Sequence, residues 1–108
     1  MEGMRQLRHP RPHEITLAGV LSALSDPVRL SVVSALADGA ERGWGEFEVG
    51  VGPSTLSHHI KVLREAGVVR HRKDGTHCYV ALRAELEQVF PGLIETVLRC
   101  AILERKGD

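Results

Sequence analysis

Within residues 54–61 the chain carries two serines, a threonine, two histidines and a lysine. Such groups serve three chemistries: nucleophilic catalysis, metal ligation, or donation to the phosphates and base edges of a nucleic acid. Catalysis is the weakest fit. No serine or histidine stands in a nucleophile-elbow or phosphate-loop setting, and basic residues occupy the surface where a catalytic pocket would need apolar walls. His58 and His59 are neighbours, so on a helix their side chains diverge by about 100° and cannot hold one ion together. Nucleic-acid contact remains, and it suits donors that share one exposed face.

The spacing predicts that face. From Pro53 onward Leu56, Ile60 and Leu63 fall on one side of a helix at about 100° per residue, while Ser54, Ser57, His58 and Lys61 fall on the other. Ser54 is a candidate N-cap, and Gly67 stands where a left-handed C-terminal cap is expected. After Gly67 the period becomes alternating. Residues 68–73 and 76–82 read as two strands joined at Asp74-Gly75, a hairpin-turn signal. A helix with a cationic leading face followed by a basic hairpin is the layout of a winged helix-turn-helix. The helix enters a DNA major groove and the hairpin reaches for the backbone or minor groove. Ser54 and Thr55 are expected to donate to phosphates alongside the free N–H groups of the helix start. Ser57, His58 and Lys61 are placed to reach base edges, and Arg64 to clamp a phosphate. Arg70, Arg72, Lys73, Thr76 and His77 are the wing's candidate contacts.

A chain of 108 residues makes one domain with a single modest core. Hydrophobic residues make up 43% but aromatics only 4%, so the core must be built of Leu, Val, Ile and Ala, which suits packed helices. The formal net charge of zero argues against a nucleic-acid partner only if charge is evenly spread, and it is not. Residues 54–73 hold Lys61, Arg64, Arg70, Arg72 and Lys73 against Glu65 alone, whereas residues 14–53 hold Glu14, Asp26, Asp38, Glu41, Glu46 and Glu48 against Arg29 and Arg42. Phosphate binding responds to the local field rather than the sum. No apolar run approaches a membrane span and the N-terminus has no signal-peptide core, so a cytoplasmic location is expected. Cys78 and Cys100 are too few for a disulfide framework and are expected as thiols.

In chain order, residues 1–14 read as a flexible basic arm in which Pro10 and Pro12 prevent a helix, either a loose tail or a strand whose Arg5, Arg8 and Arg11 follow DNA. The globular domain spans residues 15–106. Residues 15–24 form a first helix that is apolar on most sides, and Asp26-Pro27 opens a second that runs to about Asp38. Five glycines break residues 39–52, leaving one helical turn at 44–49 with Trp44 and Phe47 as core anchors. Residues 83–89 form a turn or two of helix, and after Pro91-Gly92 a final helix covers 93–106. The first and last helices carry more apolar surface than one small domain needs, which points to packing against another subunit.

Taken together these segments resemble the ArsR/SmtB family of dimeric bacterial transcriptional repressors over residues 17–103. LSALSDPVRLSVVSALADG resembles the family's opening helix pair, with its Asp-Pro-x-Arg junction at Asp26, Pro27 and Arg29. STLSHHIKVLREAGVV resembles its recognition helix, and RHRKDGTHCYVAL its wing. The resemblance implies a mainly α, winged helix-turn-helix homodimer that binds palindromic operator DNA and regulates transcription. Its interface would lie on the first and last helices, at Leu17, Val20, Leu21, Leu24, Leu93, Ile94, Val97, Leu98, Ala101 and Ile102.

Many members of that family sense metals, and here the sequence departs from them. Residues 44–49 lack the family's Cys-x-Cys pair, and residues 93–106 hold no histidine or aspartate. Cys100 has no partner for the redox pairing of second and last helices, because Cys78 lies in the wing and is expected to point inward. His59 is expected to pack and hydrogen-bond on the inner flank, while His71 and His77 on the wing are read as solvated or phosphate-contacting positions. A non-standard nickel or zinc site built on His9 and His13, with Glu14 or Cys100, stays open. So does an accessory co-regulator protein. The alternative function is a winged-helix protein-interaction module without DNA binding.

Overall fold

The computed structural model describes residues 7–107. The first helix, α1 (Leu17–Ala23), begins where the Thr16 hydroxyl accepts the Gly19 N–H at 3.0 Å. It is shorter than the apolar spacing implied, because Ile15 stays outside the helix as a buried, extended residue. The next helix, α2 (Pro27–Ala35), begins as expected at Asp26. That carboxylate accepts the Val28 and Arg29 N–H groups at 2.8 and 3.1 Å, and Pro27 takes the first helical position, where no donor is missed. The helix stops before Asp38 because its last turn tightens. Leu36 and Ala37 donate to the carbonyls of Val33 and Ser34, three residues back.

Arg29 gives the Asp-Pro-x-Arg junction a physical role. Its Nε donates to the Ala23 carbonyl at 2.6 Å, and its Nη1 lies 3.0 Å from Nδ1 of the buried His59. One guanidinium thereby ties the end of α1 and the start of α2 to the helix that follows. His59 is the packed, hydrogen-bonded histidine expected of that position.

The glycine-rich stretch keeps the helical turn expected within 44–49 in shortened form and adds a strand that was not expected. It forms a short strand, β1 (Arg42–Gly43), and a single 3-10 turn at Trp44–Glu46. Arg42 fixes this path: its guanidinium donates to the Ala35 carbonyl at 2.9 Å and to Asp38 at 2.7 Å. Trp44 and Phe47 then pack against the core, as anchors should.

The long helix α3 (Pro53–Ala66) is capped by Gly52 rather than Ser54, since Pro53 occupies the first helical position and puts Ser54 second. It ends as predicted at Gly67, with φ +87°. The Gly67 N–H reaches Arg64 O at 3.0 Å and the Val68 N–H reaches Leu63 O at 2.9 Å, the pair of bonds that defines a Schellman cap. Strands β2 (Val69–Asp74) and β3 (His77–Leu82) pair antiparallel with Asp74 opposite His77. The two-residue loop is therefore Gly75-Thr76, one residue later than expected. Gly75, at φ +64°, supplies the positive φ that a primed hairpin turn needs at its first position. Because β1 joins the other side of β3, the wing is a three-stranded sheet in the order β1-β3-β2, not a bare hairpin. Helices α4 (Glu85–Val89) and α5 (Leu93–Lys106) close the chain.

The core is aliphatic, as the scarcity of aromatics required. Val20, Val32, Val33, Leu36, Ile60, Leu63, Val68, Val69 and Val80 are fully buried, each contributing roughly 1.5–3 kcal/mol of transfer free energy. These residues clamp α3 between α1, α2 and β2, so the helix offers only its opposite face to solvent.

Candidate nucleic-acid interface

That face is polar throughout its first two turns. Leu56, His59, Ile60 and Leu63 are buried, while Ser54, Thr55, Ser57, His58 and Lys61 are exposed. No side chain caps the helix start, so its first-turn N–H groups and the positive end of its dipole are open to an anion. Hydroxyls at the start and an imidazole and ammonium one turn on make a graded set of donors. The first group suits phosphate and the second base edges.

Arg70, Lys73, Thr76 and His77 are exposed on the wing. Two other basic candidates are engaged within the chain. Arg72 grips Glu41 with Nε and Nη2, both at 2.8 Å, and lies 4.6 Å over the Tyr79 ring. The Glu41 carboxyl is held below its usual range by the hydrogen bond from Arg72, and Arg70 stands 3.7 Å from the same carboxylate. Arg64 is half-buried with Nη1 3.4 Å from His71 Nδ1. Glu41 escaped the sequence reading, because Arg72 lies 31 residues away and no local spacing announces the pair.

His71 is not a solvated wing residue. It is buried, packs against Trp44 with ring centroids 5.4 Å apart, and has its pKa pushed down to about 4, first by burial and then by the charge of Arg64. Nor does it approach His77, since His71 sits opposite Val80 and His77 opposite Asp74. Its backbone N–H donates to His9 Nε2 at 3.0 Å, and His9 Nδ1 is 2.9 Å from the Leu7 carbonyl. Those two contacts fix His9 as the neutral Nδ1–H tautomer. His9 is thereby seated on β2, and the 3-10 turn at Pro12–Glu14 that follows lies against α4. Arg8 and Arg11 remain exposed, and Arg5 lies outside the described residues.

The model of the bacterial regulatory protein family named for ArsR matches residues 26–71. An HTH-type transcriptional regulator of Bacillus subtilis, YceK, is 39% identical over 84 residues, which is 74% of this chain and 84% of that protein. The chain belongs to the arsR family. A biofilm growth-associated repressor of Xylella fastidiosa is 42% identical over 72 residues, 65% of this chain and 60% of the repressor's length. Two crystal structures share the architecture. The transcriptional repressor BigR from Xylella fastidiosa superposes with a TM-score of 0.63 at 34% identity, over 78% of this chain and 84% of its own. Rv0081 of M. tuberculosis gives 0.61 at 30% identity, over 82% and 90%.

This ArsR-family chain is thus a DNA-binding transcriptional regulator with a winged helix-turn-helix fold, and not an enzyme. Among the described residues no three His, Cys, Asp or Glu side chains gather to hold an ion. His9 has both ring nitrogens engaged, and His13 is exposed. Cys100 is exposed on α5 and Cys78 is half-buried on β3. Among the candidate interface residues, Val20, Leu24 and Leu98 are buried in this chain's own core. Leu93, Ile94, Val97 and Ala101 are half-buried, whereas Leu17, Leu21 and Ile102 are exposed, together with Leu103. Among the described residues no single helix is long and apolar enough to cross a membrane.

Proposed function

We propose that this regulator works as a homodimer in the cytoplasm and represses transcription by occupying a palindromic operator, with one α3 in each of two successive major grooves. The observation that carries this reading is the exposed polar face of α3 set directly beside the basic wing. Ser54 and Thr55 seat the helix on phosphates, while Ser57, His58 and Lys61 read base edges. Arg70, Lys73, Thr76 and His77 brace the flanking backbone, and Arg8 and Arg11 add outer contacts together with Arg5. Pairing of two copies through Leu17, Leu21, Ile102 and Leu103 would cover the large apolar side chains that α1 and α5 leave exposed. Repression follows the printed function of the Xylella fastidiosa relatives. No metal enters this reading.

The test is operator binding by His58→Ala and Lys61→Ala. Both side chains are exposed, so circular dichroism should match the parent. Each lost base contact is expected to cost about 1–3 kcal/mol and relax sequence preference. Two variants that bind the operator as the parent does would remove α3 from the groove.

A further inference from the structure

Glu41 stands in the loop between α2 and β1, away from the reading helix, yet it meets two of the wing's arginines. Its two carboxylate oxygens accept from Nε and Nη2 of Arg72 at 2.8 Å each, the parallel two-bond geometry that a phosphodiester would also take on a guanidinium. Arg70 Nη2 completes the cluster at 3.7 Å. The carboxylate is the better sheltered member. Side-chain exposure is 27% for Glu41 against 45% for Arg72 and 54% for Arg70. Tyr79 beneath the Arg72 guanidinium holds that plane in place from the other side. Asp38 and Glu46, the neighbouring acids, are paired with Arg42 instead, so Glu41 alone faces the wing pair among the described ion pairs.

We propose that Glu41 is a built-in phosphate mimic: it masks Arg72 and partly neutralises Arg70, and so sets how tightly the wing grips DNA. The inference rests on the DNA-binding reading of the wing. Electrostatic contact supplies essentially all non-specific affinity, so a carboxylate seated on one wing arginine and near another lowers the grip on any duplex. The device leaves α3, and with it base readout, untouched. It also predicts an asymmetry that a plain structural brace does not. A masked Arg72 contributes little to DNA binding until Glu41 is removed.

The experiment measures affinity for a random-sequence duplex across a salt series, for the full-length parent, Glu41→Gln, Arg72→Gln and the double variant. Glu41→Gln keeps the shape and loses the charge. It should bind more tightly, with a log–log salt slope steeper by about 0.9 for each phosphate newly contacted. Arg72→Gln alone should bind close to the parent, and the double variant should lose Arg72's share of the gain. Weaker or unchanged binding by Glu41→Gln overturns the mask. A large loss on Arg72→Gln alone overturns it as well, and needs no folded Glu41 variant to be read. A parent that binds no duplex at all overturns the DNA reading of the wing itself, a result distinguishable from failure of the mask alone.

Discussion

Gly67→Ala probes the joint between the reading helix and the wing. The new methyl group meets two obstacles. At φ +87° the backbone is left-handed, a conformation that costs a residue with a Cβ roughly 1–2 kcal/mol. In addition, a Cβ at this position would lie 2.6 Å from Ile15 Cγ1 and 2.7 Å from Cδ1, well inside contact distance. Ile15 is itself buried and cannot swing clear into solvent, and such overpacking typically costs about 1–3 kcal/mol more. The sum, about 2–5 kcal/mol, is a large part of the stability of a small domain. At about 4 °C or more per kcal/mol for a domain near this size, the melting temperature should fall by at least about 8 °C. Gly75→Ala is the internal control. Its φ is +64° but no heavy atom lies within 4 Å of the position its Cβ would take, so only the backbone cost applies. Thermal unfolding of both variants, followed by circular dichroism, separates the two terms. Combining Gly67→Ala with Ile15→Ala should give a smaller loss than the two single variants summed. If the two glycine variants melt at the same temperature, or the double variant is simply additive, the Ile15 contact does not act as argued.

Two further expectations concern assembly and pH. Leu21→Glu and Leu103→Glu alter side chains that are 45% and 62% exposed, so each should sediment as a folded monomer with weakened operator binding. Leu98→Glu, by contrast, should unfold the chain, because Leu98 is buried in its own core. A stable dimer from both exposed variants would place the interface elsewhere. For pH, burial is the leading cause that lowers His71 to about 4 and also lowers His9, both from an ordinary 6.5. The unfolded chain therefore takes up protons that the folded chain refuses as pH falls through that window. Melting temperature should hold near neutral pH and decline from about pH 6.5 toward 4. His71→Gln should flatten that decline, and an unchanged slope in this variant would assign the protons to other groups.

The parts of the fold that could be read from sequence are those written in local spacing. The apolar period of Leu56, Ile60 and Leu63, the Asp26-Pro27 start and the Gly67 stop all act within a few residues, and each appears where the pattern put it. The polar face of α3 was legible for the same reason. The misplaced details are contests between neighbours. Gly52 and Ser54 can both cap a helix, and Pro53 decides between them by taking the first helical position. What stayed hidden depends on distant partners. β1 exists because Arg42 and Gly43 meet Val80 and Tyr79, and His71 is buried because Trp44 and the segment around His9 close over it. A helix apolar on most sides, such as α1, cannot reveal which of its side chains serve its own core. Val20 and Leu24 do, and Leu17 and Leu21 do not.

The seat of His9 on β2 has a consequence for how copies of this protein avoid one another. β2 is an outer strand of its sheet, and an outer strand with free donors is a template on which a strand of another molecule can add. His9 removes the His71 N–H from that template by accepting its hydrogen bond, and the charged side chains of Arg70, Arg72 and Lys73 crowd the same strand. His9 thereby closes one point on the sheet's open margin. The margin is thus guarded twice, by a donor already used and by like charges that keep a second wing from lying alongside.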